Sequence, residues 1–224
     1  MWDLKFDKIG SIFKNPENGT FEIGPLPDGL GGPYQTATEY YRAWAAKNIA
    51  KQEDGSDFVS RIEEVSSLIS KHDNGPFRLI HGDFSQHNIM VDDDFNMLAV
   101  IDWEKSFVGP SEMAARFPMS LQVYPESIFP LHRDNDGRII GDWREIFEDR
   151  ERYVAAVASH ESQTGNSPRL SSSMVGCRAQ EDILYLIRRW EHRTPWMYKY
   201  PSGIKEGINA IVERLREEEF HEKE

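Results

Sequence analysis

The segment that most restricts the possible fold is RLIHGDFSQHNIMVDDDFNMLAVIDWE, residues 78–104, in which short apolar runs alternate with polar turns. The runs FRLI, NIMV and MLAVIDW are too short for helices and rich in residues that favour strands. The polar run 92–96, between the last two, is typical of a tight turn. The segment therefore predicts a strand, a loop and then a hairpin.

Three polar side chains occupy the loop and the end of this hairpin. Asn88 follows Asp83 by five positions, and the hairpin brings Asp102 back towards both. Carboxylate and amide oxygens suit Mg²⁺, which takes its remaining ligands from water and substrate phosphates. A carboxylate that is not bound to the metal can orient a hydroxyl and accept its proton. The pattern predicts a phosphoryl-transfer site, although a single Asp or Asn at a strand end usually only forms a turn.

The spacing H-G-D-x-x-x-x-N followed by I-D-W resembles the signature of the aminoglycoside phosphotransferase and choline-kinase-like family, distant relatives of protein kinases. The flanking stretch FDKIGSIFKN…FEIGPL is similar to the fungal branch of that family. The resemblance implies that Asp83 is the catalytic base and that Asn88 and Asp102 hold Mg²⁺. It also implies that His81 steadies the loop. ATP would be the phosphate donor and a small-molecule alcohol the acceptor, which no pattern identifies.

The nucleotide-binding parts that the resemblance leads one to expect are not found in the sequence. The run DGLGGPY has glycines at 29, 31 and 32, which is not G-x-G-x-x-G, and Pro33 lacks an N–H donor for phosphate. No GK[ST] occurs, and Lys5, Lys8 and Lys14 are weak candidates for the phosphate lysine. In the fungal relatives FDKIGS lies past the N-terminal lobe. We therefore expect mainly a C-terminal lobe, with the N-terminal lobe largely absent, and weak activity or none from this chain alone.

The predicted fold class is α+β, a kinase-like C-terminal lobe that is mostly helical with short β-hairpins. We expect one domain over 1–224, with a hairpin and loop at 1–30, helices at 31–80, the catalytic loop and metal hairpin at 81–104, and an irregular and then helical substrate-side region at 105–224. Within it, helices are predicted near 36–52, 57–72, 143–157, 183–190 and from 202 onward. Late aromatic residues, Trp190, Trp196, Tyr198 and Tyr200, are core residues or line the acceptor pocket.

Composition limits the partners and the compartment. The chain has 38 acidic and 26 basic residues and a net charge of −12, which argues against nucleic-acid binding. A single cysteine, Cys177, fits a reducing compartment, and no apolar run is long enough to span a bilayer. The N-terminus lacks the apolar core of a signal peptide, so we expect a cytoplasmic protein. No pattern indicates an oligomeric state.

Two other functions fit the same residues. A non-catalytic remnant or binding module could keep the lobe without the nucleotide clamp. A metal-dependent phosphoesterase could use the same Asp and Asn ligands. The run Asp92-x-Asp94-x-Asn96 imitates an EF-hand start, but Met97 and Trp103 stand where that loop needs Gly and Glu, so a solvated turn is expected.

Overall fold

A computed structural model describes residues 2–27, 29–48, 65–67, 70–123, 131–141, 143–165 and 170–174, and the separate positions 181, 182, 184, 210, 212, 213 and 216. The chain divides into two compact units, Met1–Tyr40 with His72–Gln122, and Tyr41–Lys71 with Val123–Glu224. The elements are β1 (Ser11–Lys14), β2 (Phe21–Gly24), α1 (Ala37–Asn48), β3 (Arg78–Ile80), β4 (Ile89–Val91), β5 (Met97–Val100), β6 (Phe107–Gly109), α2 (Ser111–Ala114), α3 (Trp143–Gln163) and α4 (Leu170–Met174). Short 3-10 turns lie at Gln86–Asn88, Trp103–Lys105 and Met119–Leu121.

The first unit contains three separate antiparallel strand pairs, β1 with β2, β3 with β6, and β4 with β5. The hairpin predicted within 1–30 is present. Its turn ends at Asn18-Gly19, and the N–H groups of Asn15 and Gly19 bond to the carbonyl oxygens of Thr20 and Asn15, respectively. Gly19 has a φ of 74°, which glycine adopts without steric cost. The mixture of helices and short antiparallel strands agrees with the α+β prediction.

A few fully buried apolar side chains hold the first unit together. Ile9, Phe77 and Val108 are completely inaccessible to solvent. Backbone pairs join the same segments, since Gly10 exchanges two hydrogen bonds with Val108 at 3.0 and 2.8 Å. Burying side chains of this size stabilises a fold by roughly 1.5–3 kcal/mol each. The N-terminal segment is therefore part of the packed unit that carries the 78–109 region.

Helix α1 begins where the sequence places a capping box. The Thr36 hydroxyl accepts the N–H of Glu39 at 3.0 Å, and the Glu39 carboxylate accepts the N–H groups of Thr36 and Gln35. This reciprocal arrangement satisfies backbone donors that have no partner within the helix. The described helix ends at Asn48. The remainder of the predicted 36–52 helix lies outside the described residues.

Strand β6 is one of the short elements that sequence reasoning missed, together with α2 and α4. The sequence predicts an irregular region after residue 104, yet Phe107–Gly109 pairs along its whole length with β3. A three-residue strand is too short to show a period, so pairing with β3, not local preference, determines its conformation. Gly109 packs closely there, since a Cβ would lie 2.6 Å from the Cδ1 atom of Ile80 and would force that side chain to move.

The second unit is described mainly through helix α3. Its less exposed positions recur three or four residues apart and include Trp143, Phe147, Val154 and Val157, as predicted for an amphipathic helix. Near its end, the buried carboxylate of Glu161 accepts the Ser171 hydroxyl at 2.6 Å and the Leu170 N–H at 2.9 Å. These two bonds attach α4 to α3.

Several predicted features lie outside the described residues. They include Cys177, most of the 57–72 helix, the 183–190 helix apart from 184, and all four late aromatic residues. Among the helices that the structure does describe, none combines the length and apolar character needed to cross a bilayer.

Candidate active site

His81 is the buried residue that connects the loop after β3 to the end of β5. We call residues 81–88 the HGD loop. The His81 Nε2 atom lies 2.8 Å from the carbonyl oxygen of Ile101, and Nδ1 lies 3.3 Å from the N–H of Asp83. A carbonyl only accepts and an N–H only donates, so both contacts fit the tautomer protonated at Nε2. The imidazole also packs 4.6 Å from the Trp103 ring. Both ring nitrogens are therefore engaged with backbone atoms of the site, and the structural role of His81 stays a prediction.

Asn88 lies at the other end of the HGD loop and is also buried. Its side-chain Nδ2 donates to the carbonyl oxygen of Asp83 at 2.8 Å. Its backbone oxygen accepts the N–H of Ile101 at 2.9 Å, next to Asp102 in the chain. Because Nδ2 is used inside the loop, Oδ1 is the atom of this amide that remains as an acceptor. An amide oxygen in this position is a suitable ligand for a hard cation.

Asp102 has an unusual backbone conformation. Its φ and ψ are 64° and 55°, in the left-handed region that Asp tolerates better than most residues. The 3-10 turn Trp103–Lys105 follows directly and is closed by the bond from the Ser106 N–H to the Trp103 oxygen at 2.9 Å. The indole of Trp103 donates to the Val100 oxygen at 2.8 Å, which secures the same turn. The Asp102 side chain itself is exposed.

Asp83 is partly exposed, with 31% of its side chain accessible. Its backbone N–H and carbonyl oxygen are bonded to His81 and Asn88, so the backbone is fixed while the carboxylate remains open. One carboxylate oxygen forms an ion pair with Lys105 Nζ at 3.7 Å. Sequence reasoning missed Lys105. The only signal for it is its place three residues after Asp102, in the turn that faces Gly82.

Gly82 allows the two chain segments of the site to approach closely. Its φ is 80°, and a Cβ built on it would lie 2.2 Å from the backbone oxygen of Lys105. Only glycine accommodates both the positive φ and this contact. The glycine of the H-G-D motif is therefore needed for structural reasons, because its close contact with Lys105 fixes the HGD loop against the turn after Asp102.

The candidate ligands form a small set. In the part of the chain that the structure describes, no three His, Cys, Asp or Glu side chains group together as a metal site. The backbone bond from Ile101 to Asn88, and the pairing of Ile89 with Val100, place Asn88 and Asp102 at the same end of the β4–β5 hairpin. One amide and one carboxylate fit Mg²⁺, which readily takes its other ligands from water and phosphate.

The other motifs considered from sequence form local structure. In the glycine-rich run, Cβ atoms at Gly31 and Gly32 would lie 3.1 and 3.2 Å from the Tyr34 side chain, so these glycines make room for that ring. In the EF-hand-like run, Asp92 accepts the N–H of Asp94 at 3.0 Å and that of Asn96 at 2.8 Å. This is the solvated turn that was expected.

The structure thus shows an α+β protein with a partly exposed carboxylate on a fixed loop and two oxygen-bearing side chains at the end of an adjacent hairpin. Residues 25–112 match the model of the phosphotransferase enzyme family, abbreviated APH. The matched region covers less than half of the chain but contains His81, Asp83, Asn88 and Asp102. Searches of curated proteins and of solved structures gave no significant match. The family match supports a phosphotransferase-type protein in this coarse sense.

Proposed function

We propose that the chain is a phosphotransferase of the aminoglycoside and choline kinase type, which transfers the γ-phosphate of ATP to a hydroxyl of a small molecule. The observation that carries this proposal is the arrangement of the HGD loop. Asp83 offers an accessible carboxylate on a backbone fixed by His81 and Asn88. A positioned carboxylate of this kind is what orienting and deprotonating a hydroxyl requires.

The reaction is assigned to the residues as follows. Asp83 accepts the proton of the acceptor hydroxyl as its oxygen forms a bond to the γ-phosphorus. The bond between that phosphorus and the bridging oxygen breaks, and ADP leaves with the electron pair. Asn88 and Asp102 would hold Mg²⁺, which when bound neutralises charge on the phosphates. His81 keeps the loop in register through Ile101 and Trp103.

We also propose that this chain on its own binds nucleotide weakly. The 224 residues contain neither G-x-G-x-x-G nor GK[ST]. Two oxygen side chains hold a magnesium ion poorly without substrate phosphates, because Mg²⁺ sheds its waters reluctantly. The same sequence observation favours the second candidate, a non-catalytic remnant or binding module of the same fold. We place the protein in the cytoplasm, on the basis of its single cysteine.

The test combines binding with transfer. The melting temperature is measured with Mg-ATP up to millimolar concentrations, and transfer from γ-labelled ATP is measured with an aminoglycoside, choline or water as acceptor. Asp83→Asn should lower transfer by about 10²–10⁴-fold, the usual contribution of a general base, and leave Mg-ATP binding intact. Asp93→Asn removes the same charge from an exposed position at the hairpin turn and should change neither measurement.

The two candidate functions give different results. Transfer that depends on Asp83 supports the phosphotransferase. No thermal shift at millimolar Mg-ATP would favour the remnant, and transfer that survives Asp83→Asn would refute the assigned base.

A further inference from the structure

Lys105 is the cation that lies closest to the proposed chemistry in the described part of the chain. Its Nζ atom lies 3.7 Å from an Asp83 carboxylate oxygen, and 61% of its side chain is exposed. A charge-assisted hydrogen bond between such groups would be about 2.7–2.9 Å long. The contact is therefore a loose ion pair, and exposed pairs of this kind contribute little to stability, about 0–1 kcal/mol. Folding stability alone does not account for a lysine in this place.

The backbone of Lys105 is held in position, whereas its side chain is largely exposed. Gly82 presses against the Lys105 carbonyl group, as the 2.2 Å distance from its virtual Cβ shows. The residue is also the last of the 3-10 turn that begins at Trp103. The ammonium group is thus tethered beside the HGD loop, within reach of any anion that comes next to Asp83.

We propose that Lys105 binds the phosphoryl group that is transferred, and that its pair with Asp83 is the arrangement before the ligand enters. This inference rests on the proposed function and assigns the cation of that site. A phosphoryl group in transfer spreads negative charge over its outer oxygens, and a fixed cation beside them stabilises it. A γ-phosphate next to Asp83 would bring more negative charge to Lys105 than the single carboxylate does. The ammonium then moves from the carboxylate to the phosphate, which leaves Asp83 free to accept the proton of the acceptor hydroxyl.

The experiment compares Mg-ATP with Mg-ADP, which differ only in the γ-phosphate. Dissociation constants are measured by calorimetry for the wild type, Lys105→Met, Lys105→Arg and Lys47→Met. Lys47 is an exposed lysine in the last turn of α1 and serves as the charge-matched control. Melting temperatures without nucleotide verify that every variant is folded.

In Lys105→Met, the affinity for Mg-ATP should fall by about tenfold, the effect of removing one charge-assisted contact, and the affinity for Mg-ADP should fall by less than about twofold. Lys105→Arg should stay within about threefold of the wild type because the charge is kept. Lys47→Met should match the wild type with both nucleotides. Equal weakening of both nucleotides, or no weakening in Lys105→Met, would overturn the role of Lys105 while the phosphotransferase stands. A wild type that binds neither nucleotide at millimolar concentrations would favour the non-catalytic remnant over the proposed phosphotransferase and would overturn this inference with it.

Discussion

Replacing Gly82 with Ala tests whether the close approach of two chain segments organises the site. A left-handed conformation costs an L-residue about 1–2 kcal/mol, and the φ of Gly82 is 80°. The new Cβ would stand 2.2 Å from the Lys105 oxygen, where contacts between carbon and oxygen normally exceed about 3.3 Å. About 1 Å of backbone displacement is needed, and overpacking of that kind costs about 1–3 kcal/mol. We expect the free energy of unfolding to fall by about 2–5 kcal/mol.

The assay is urea unfolding followed by circular dichroism, with thermal melting as a second measurement. A loss of 1 kcal/mol lowers the melting temperature of a chain this size by about 2–4 °C, so Gly82→Ala should lose at least about 4 °C. Gly29→Ala is the matched control in the same unit. The φ of Gly29 is 70° and nothing lies within 4 Å of the added carbon, so Gly29→Ala loses only the free energy of placing an L-residue at positive φ. Equal losses in the two variants would refute the argument from close approach.

Two further predictions concern the hairpin that follows the HGD loop. Asp102→Ala should lower the free energy of unfolding by about 1 kcal/mol relative to Asp102→Gly, because the φ of Asp102 is 64°. Both variants should abolish the thermal shift caused by Mg-ATP. A shift that persists in these variants would show that Asp102 is not a magnesium ligand. Hydrogen bonds from the Asn96 side chain and backbone hold the pKa of Asp92 below its ordinary value of 3.8. A lowered pKa means that the charged form stabilises the turn above pH 3.8 and that this support is lost as the pH falls through the lower folded-state pKa. Carboxyl NMR titration should show the Asp92 pKa returning towards 3.8 in Asn96→Ala, and an unchanged pKa would contradict the assigned cause.

The parts of the fold that sequence predicts well are those fixed by local contacts. The turn ending at Gly19 lies in the hairpin predicted over 1–30, and α1 starts close to the predicted position 36, where Thr36 and Glu39 cap it. Helix α3 follows from apolar residues at helical spacing over 143–157, and the helix itself continues to Gln163. Each of these signals lies within a few residues of the structure that it specifies, so no knowledge of the tertiary fold is needed.

The parts that sequence did not predict depend on contacts between distant positions. Strand β6 exists because β3 lies beside it, and its three residues carry no period of their own. Lys105 meets Asp83 because Gly82 lets two segments approach, which the identity of a lysine does not reveal. The roles of Asp83, Asn88 and Asp102 stay predictions, although the structure fixes the backbone around all three.

The candidate site separates the groups that order it from the groups proposed to react. Backbone bonds, a glycine contact and the packing of His81 on Trp103 hold the HGD loop and the turn after Asp102 together. The Asp83 side chain is partly exposed and Asp102 is exposed, and the bonds that hold this frame do not use either carboxylate. An enzyme gains from this division, because a shift of about 1 Å in a reacting group can cost about 10²-fold in rate. If the carboxylates also stabilised the local fold, that stabilisation would be lost whenever a cation or phosphate bound to them. The loop and the turn therefore have to be held by other groups.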